Sequence, residues 1–374
     1  MQLRRITSGG TWIPQIDGLR FIAIVSVLIF HVTGQLVSRS GHVVPVQSRY
    51  DFLLSLIGDG DRGVQLFFVI SGYILARPFL RQHRMKGRPV GLGAYFLRRL
   101  TRLEPPYVLA LLIYTAGFAA FGLPLRPMLP HLAASMAYLH NIIYHQMSTI
   151  DFVTWSLEIE VQFYILAPVL GLIYLVPGTV LRRSVLAAAA LAGGALNLHP
   201  SLLLGITLLG QIQYFLTGFL LADILEGHQT QGHRSPAWDV VSLVGWPIIF
   251  LLPRGVETLS WLPIVILPVY LAAFYGPASN WFFRRPLVAL SGGMCYSLYL
   301  MHMFIISVCF KATRHLAVFQ DFLLNWMTQV IALGGCIALF GTIYFVLIER
   351  PCMDPDWPQK AWLRLTHRKS VVAG

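Results

Sequence analysis

The sequence predicts an all-α protein: a polytopic membrane helix bundle of about ten transmembrane helices, with both termini cytoplasmic. Three observations carry that expectation. The 374 residues are 56% hydrophobic and only 12% charged, with a mean hydropathy of +0.65. Apolar stretches of spanning length recur along the whole chain. The basic residues collect in alternate loops. No large hydrophilic block interrupts the pattern, so chemistry is expected within the bundle or its short loops. The leading MQLRRITSGGTWIPQ is short and polar and the first apolar segment is too long for a signal core, so no cleavable signal is expected. The organisation predicted is a cytoplasmic segment at 1–15, a membrane domain at 16–351 and a basic cytoplasmic tail at 352–374. The net charge of +12 follows loop topology, so no nucleic-acid partner is expected. Cys295, Cys309, Cys336 and Cys352 are far apart without ligand spacing, and no metal is expected. Walker, Rossmann and heptad patterns are absent.

The predicted spans are 16–36, 63–80, 105–122, 155–176, 184–199, 203–225, 239–253, 259–276, 287–309 and 325–348. A further stretch, LPHLAASMAYLHNIIY at 129–144, is short and amphipathic, and basic residues decide its placement. If it lies along the surface, Arg4, Arg5, the eight Lys/Arg of 77–102, Arg182, Arg183, Arg234, Arg284, Arg285 and the five of the tail share one side, 20 against 7. If it spans, the split becomes 13 against 14. The positive-inside rule selects the first arrangement.

The first span, IDGLRFIAIVSVLIFHVTGQL, carries Asp17, Arg20 and His31. An ionisable residue near the centre of a span costs ~3 kcal/mol, so it marks a functional site unless it snorkels. Arg20 and His31 are eleven residues apart, which returns to the same helix face after roughly 16 Å. Asp17 reads as an end residue. The loop from Arg77 to Leu103 holds eight Lys/Arg and no acid. It reads either as a purely topogenic loop or as a site for a polyanion, with Arg99 and Arg102 three apart on one helical face. Pro105 and Pro106 suit the start of span three. In span four, TWSLEIEVQFYIL, Glu158 and Glu160 point about 160° apart, so only one faces a given site. Glu160 shares the depth of His31 and either tunes that imidazole or pairs near the interface. Span nine places His302 in its outer half, where an interhelical hydrogen bond is the ordinary role. The Gly292–Gly293 pair predicts close helix approach or a kink. Glu349, Arg350 and Pro351 read as structural end residues.

Taken in order, these pieces resemble integral-membrane acyltransferase family 3, from about Ile16 to Pro351. IDGLRFIAIVSVLIFH carries its Arg-x10-His pattern at Arg20 and His31. GVQLFFVISGYIL follows, and RRLTRLEPPY supplies an Arg-x2-Arg pattern at Arg99 and Arg102. WSLEIEVQFY places the family glutamate at Glu160, and YSLYLMH places a late histidine at His302. Three positions depart from the family pattern: Val161 where a second glutamate is common, Glu158 where a small residue is usual, and Glu104 before the prolines.

The resemblance implies a transferase of the bacterial cytoplasmic (inner) membrane. It moves an acyl group, usually acetyl, from cytoplasmic acetyl-CoA or another acyl-CoA to a hydroxyl on an envelope or secreted glycan or glycolipid. The acyl-CoA is a co-substrate, with no bound cofactor. On that footing Arg20, Arg99 and Arg102 are expected to bind the donor. His31 acts as general base or transient acyl carrier, oriented by Glu160, while Tyr164 and His302 line the acceptor pocket. Two other readings stand beside it: a transporter or flippase of an envelope intermediate, and a macrolide or secondary-metabolite O-acyltransferase. A scaffold or sensor that has kept the fold is a third. An enzyme leaves a covalent acyl group on its acceptor, whereas a carrier only relocates it.

Overall fold

The computed structural model describes residues 3–6, 12–39, 51–85, 87–199, 205–227, 234–253, 255–316, 318–319, 321–354 and 356–360. The basic tail beyond residue 360 lies outside the described residues. Helix α1 (Pro14–Arg39) is followed by α2 (Asp51–Gly58), α3 (Gly63–Arg84) and the 29-residue α4 (Leu92–Ala120). Two short helices, α5 (Leu129–Met136) and α6 (His140–Tyr144), precede α7 (Trp155–Leu170), α8 (Thr179–Leu196) and α9 (Leu208–Gly227). Then come α10 (Pro236–Leu251), α11 (Val256–Tyr275), α12 (Pro277–Phe283), α13 (Pro286–Gly293), α14 (Cys295–Thr313) and α15 (Phe322–Tyr344).

Among the described residues there is no strand, and nine helices are long and apolar enough to cross a membrane. The tenth expected span is α10, whose sixteen residues fall short of the ~20 needed to cross unaided. Helix α1 sits centrally, in contact with α3, α13, α14 and α15.

Glycines allow the closest crossings. A Cβ on Gly72 of α3 would lie 2.2 Å from the Phe215 carbonyl, and one on Gly218 of α9 would lie 2.2 Å from the Val69 carbonyl. The two backbones therefore touch reciprocally, the small-residue packing that membrane helices use in place of a hydrophobic driving force. Gly218→Leu is expected to cost at least ~1–3 kcal/mol through overpacking. The check is a lower melting temperature and loss of monodisperse protein in detergent. Gly334→Leu, at a position with open space around it, should leave both unchanged. At the start of α14 the Gly292–Gly293 expectation holds in both senses. The helix breaks at Met294, and a Cβ on Gly292 would lie 1.7 Å from the Asp17 carbonyl of α1.

Span three differs from its expected start. Helix α4 begins at Leu92, inside the basic stretch, so Arg98, Arg99 and Arg102 sit on helix and the prolines lie in its interior. Interior prolines remove helical donors, and a neighbour repairs one loss. The Thr101 carbonyl, which Pro105 cannot bond, accepts from Trp357 Nε1 at 2.9 Å.

The 129–144 stretch forms two helices of eight and five residues, each far too short to span. Two acidic departures from the family pattern anchor it. The Tyr138 hydroxyl donates to Glu104 at 2.8 Å, and the Asn141 backbone N–H donates to Glu158 at 2.8 Å. Burial holds the His140 imidazole below the ordinary histidine range. In the neutral ring, its Nδ1–H donates to the Gln146 carbonyl at 3.1 Å, so its Nε2 accepts from His131 Nδ1 at 2.9 Å.

Candidate active site

Part of the basic charge is spent on structure. Arg182 and Arg183 of α8 both pair with Asp223 of α9, at 2.6 and 2.7 Å, and Arg77 of α3 pairs with Glu226 at 2.6 Å. These pairs fasten neighbouring helices at the basic end of the bundle.

A second set of arginines has a different setting. A cavity of about 480 Å³ opens at the same end, between the N-terminal segment, α1, α3, α4, α7 and α14. Arg5, Arg20, Arg98, Arg99 and Arg102 line it, and Arg77 and Arg81 of α3 reach its wall as well. Its carboxylates are Asp17, Glu160 and Glu349, so cations are in excess. Among the described residues neither Arg99 nor Arg102 has a carboxylate within ion-pair distance. The Arg99 guanidinium lies over the rings of Tyr95 and Tyr164, at 4.7 and 4.8 Å, and its Nε is buried without a partner. A half-buried cation held by aromatic faces keeps its donors for an anion.

Asp17 is a hub rather than an end residue. It is 2% exposed, accepts from Arg5 at 3.0 Å and Arg20 at 2.6 Å through Oδ1, and from Trp12 Nε1 at 2.7 Å through Oδ2. One carboxylate thus ties the segment before α1 to the arginine face of α1. Glu349, read from sequence as structural, also faces the cavity. A π-helical turn at Phe345–Glu349 shifts the register of the chain there, and Glu349 accepts from the Ser297 N–H at 3.0 Å and from its hydroxyl at 2.5 Å. Single π turns often mark functional positions.

Glu160 and His31 were expected to pair, and their contacts differ from that expectation. Glu160 faces α3 and its own helix, accepting from Ser71 Oγ at 2.8 Å and from the Tyr164 hydroxyl, one turn on, at 2.5 Å. Glu158, two residues earlier, points to the other side, toward Asn141. Tyr164 lines the arginine cavity, so it does not share a pocket with His302.

His31 meets His302 instead. Their ring centroids are 5.1 Å apart, and His31 also touches Phe152 edge-on at 5.5 Å. His302 is fully buried and its Nδ1 lies 2.6 Å from the Tyr299 carbonyl. A carbonyl only accepts, so Nδ1 carries the proton and the neutral ring leaves Nε2 as an acceptor. That Nε2 has no hydrogen-bond partner among the described residues. Helical spacing pointed to Arg20, Arg99, Arg102 and His31. Asp17, Arg5, Glu349 and Tyr299 become visible only once distant segments meet.

An intramembrane pair of imidazoles behind a cation-lined cavity defines a polytopic helical membrane protein with the groups for proton handling and anion binding. The chain belongs to an acyltransferase family: the family model described as an acyltransferase domain matches residues 13–346. The chain is similar to the peptidoglycan O-acetyltransferase of Listeria monocytogenes, 29% identical over 176 residues, covering 44% of this chain and 25% of that protein. It is similar also to a Staphylococcus aureus protein that bears a provisional O-acetyltransferase name, 24% identical over 332 residues, covering 79% of this chain and 51% of the relative. The O-acetyltransferase of Staphylococcus aureus strain NCTC 8325 is 28% identical over 172 residues, covering 42% and 24%. The chain therefore spans between a quarter and half of the length of these relatives. No solved structure matches it.

Proposed function

We propose that this protein is an O-acyltransferase of the bacterial cytoplasmic membrane. It takes an acyl group, acetyl foremost, from cytoplasmic acyl-CoA and places it on a hydroxyl of an envelope or secreted glycan or glycolipid. The observation that carries this reading is the arginine cavity beside the histidine pair. Coenzyme A carries a diphosphate and a 3′-phosphate at one end and a thioester at the other. The guanidinium forks of Arg99 and Arg102, which have no carboxylate partner among the described residues, suit the first, beside the Asp17-paired fork of Arg20, and a pair of imidazoles further into the bundle suits the second. The loop charge, 20 basic residues against 7, supports placing the cavity mouth and both termini on the cytoplasmic side. The similarity to a Listeria protein named for peptidoglycan O-acetylation supports a glycan as the acceptor class.

In this reading Arg20, Arg99 and Arg102 hold the donor, with Glu160 and Tyr164 shaping its channel. His31 takes the proton from the acceptor hydroxyl as that oxygen bonds to the thioester carbonyl carbon. The carbon–sulfur bond breaks, and the proton passes from His31 to the departing thiolate. In the carrier variant of the same reaction, an imidazole nitrogen of His31 holds the acyl group between donor and acceptor. The buried imidazole of His302 lies beside the ring that handles the proton or the acyl group.

The test uses sealed membrane vesicles of both orientations and acetyl-CoA labelled in its acetyl group. Inside-out vesicles are expected to place label on the glycan or lipid fraction, and intact right-side-out vesicles are expected to place none. Equal labelling in both would remove the cytoplasmic donor side. Absence of label in both, with acceptors demonstrably present, would remove acyl-CoA as donor.

A further inference from the structure

One side chain stands between the arginine cavity and the histidine pair. Tyr299 of α14 lines the inner end of the cavity together with Phe67 and Ser156, whereas neither His31 nor His302 lines it. The Tyr299 ring lies 6.3 Å from Phe67, edge to face, and 5.7 Å from the His302 ring. Its hydroxyl is tied on the far side: it donates to the Val153 carbonyl and accepts from Ser156 Oγ at 2.8 Å. Its backbone carbonyl receives the Nδ1–H of His302. The same residue therefore ends the donor cavity and fixes the tautomer of the buried imidazole.

We infer that Tyr299 is a specificity-determining residue: its ring sets the length of the acyl chain that the site accepts. The inference rests on the acyl-CoA reading above. With the phosphates at the arginines, the pantetheine arm runs inward and the acyl group leads. For reaction, the thioester carbonyl must come within about 3–3.5 Å of the attacking atom. The carbons beyond the carbonyl must fit the space left beside the residues at the inner end of the cavity. Phe67 and Tyr299 narrow the way from the cavity to His31, and Tyr299 is 6% exposed, with two hydrogen bonds to the segment that begins α7 holding its ring at the side of that passage. Ring volume limits what passes, and the hydroxyl bonds hold the ring in place. The narrowing admits acetyl and opposes longer chains, by about tenfold or more.

The experiment uses the full-length protein in native membrane vesicles, with acetyl-, butyryl- and hexanoyl-CoA as donors, and reads His31-dependent release of CoA. Equilibrium binding of the unreactive thioethers S-ethyl-CoA and S-hexyl-CoA to purified protein gives a second readout. Wild type is expected to prefer acetyl over hexanoyl at least about tenfold. Tyr299→Ala should reduce that preference by about tenfold or more and tighten S-hexyl-CoA relative to S-ethyl-CoA. Tyr299→Leu, which fills more of the space and protects the fold, should give an intermediate length preference. Tyr299→Phe keeps the ring but loses both hydroxyl bonds that hold it, so its length preference should fall between those of wild type and Tyr299→Leu. If wild type uses acetyl-CoA and both Tyr299→Ala and Tyr299→Leu keep its length preference, the inference is overturned. If wild type consumes and binds no CoA thioester or thioether of any length, the donor reading itself fails, and this inference falls with it.

Discussion

Replacing His31 with alanine is expected to lower acyl transfer by about 10²- to 10⁴-fold, the range that a positioned proton-transfer group contributes. A sugar hydroxyl is a weak nucleophile at neutral pH, and the site holds few groups able to take its proton. His302 is buried and donates to the Tyr299 carbonyl, which commits one of its nitrogens to structure. His31 is half-buried beside Phe152 and His302, so an acceptor has a route to it. The fold should tolerate the change. The close crossings of the bundle rest on glycines elsewhere, and the described hydrogen bonds of α1 belong to other residues, such as Asp17 and Thr33. The measurement is label transfer to acceptor in vesicles with matched protein content and matched melting temperature. A well-folded His31→Ala variant with wild-type transfer would end the role of His31. The base and carrier variants separate without an acceptor. A carrier traps label on the wild-type protein that acid or hydroxylamine removes, as from an acylimidazole, and none on His31→Ala, whereas a base traps none on either.

Much of this site was legible because each of its obvious members repeats along one helix. Arg20 and His31 share a face of α1 by counting alone, and Arg99 and Arg102 share a face of α4. Contacts between helices were harder. His31 and His302 are 271 positions apart, and nothing in their separate spans says that the two rings meet. Glu160 is the instructive case. Its depth matched that of His31, but depth does not give the angle about the helix axis, and the angle turns it to Ser71 and Tyr164. Glu349 was hidden by its π turn, since helical counting assumes a register that this turn breaks. Arg5 was hidden in another way. It sits in a polar leader counted only for topology, yet Asp17 draws it into the cavity wall. The two acids that departed from the family pattern, Glu104 and Glu158, are explained by the segment at 129–144. A short amphipathic stretch held against the bundle needs polar partners, and these supply them.

The second large effect is expected at the donor end. Changing Arg99 and Arg102 together to alanine should raise the KM for acyl-CoA by about 10- to 150-fold per charge-assisted hydrogen bond lost, since each is worth about 1.5–3 kcal/mol. The value of kcat should change far less, because in the proposed reaction these groups hold the end of the donor far from the bond being broken. Two alternatives give different patterns. If the arginines only orient the helices, their loss alters insertion and folded yield, not KM. If they only attract the donor from a distance, Lys replaces Arg without cost and added salt erases the difference. A phosphate held in guanidinium forks predicts that Arg99→Lys with Arg102→Lys restores only part of the affinity, because an ammonium is a point charge without the fork. The comparison residue is Arg182, fully engaged with Asp223 in the wall between α8 and α9. Arg182→Ala leaves Asp223 with Arg183 as its remaining partner, so it should reduce folded yield and leave the KM of the surviving protein unchanged. An unaltered KM in the Arg99/Arg102 double variant would return those arginines to a topogenic role and leave the cavity without its anion.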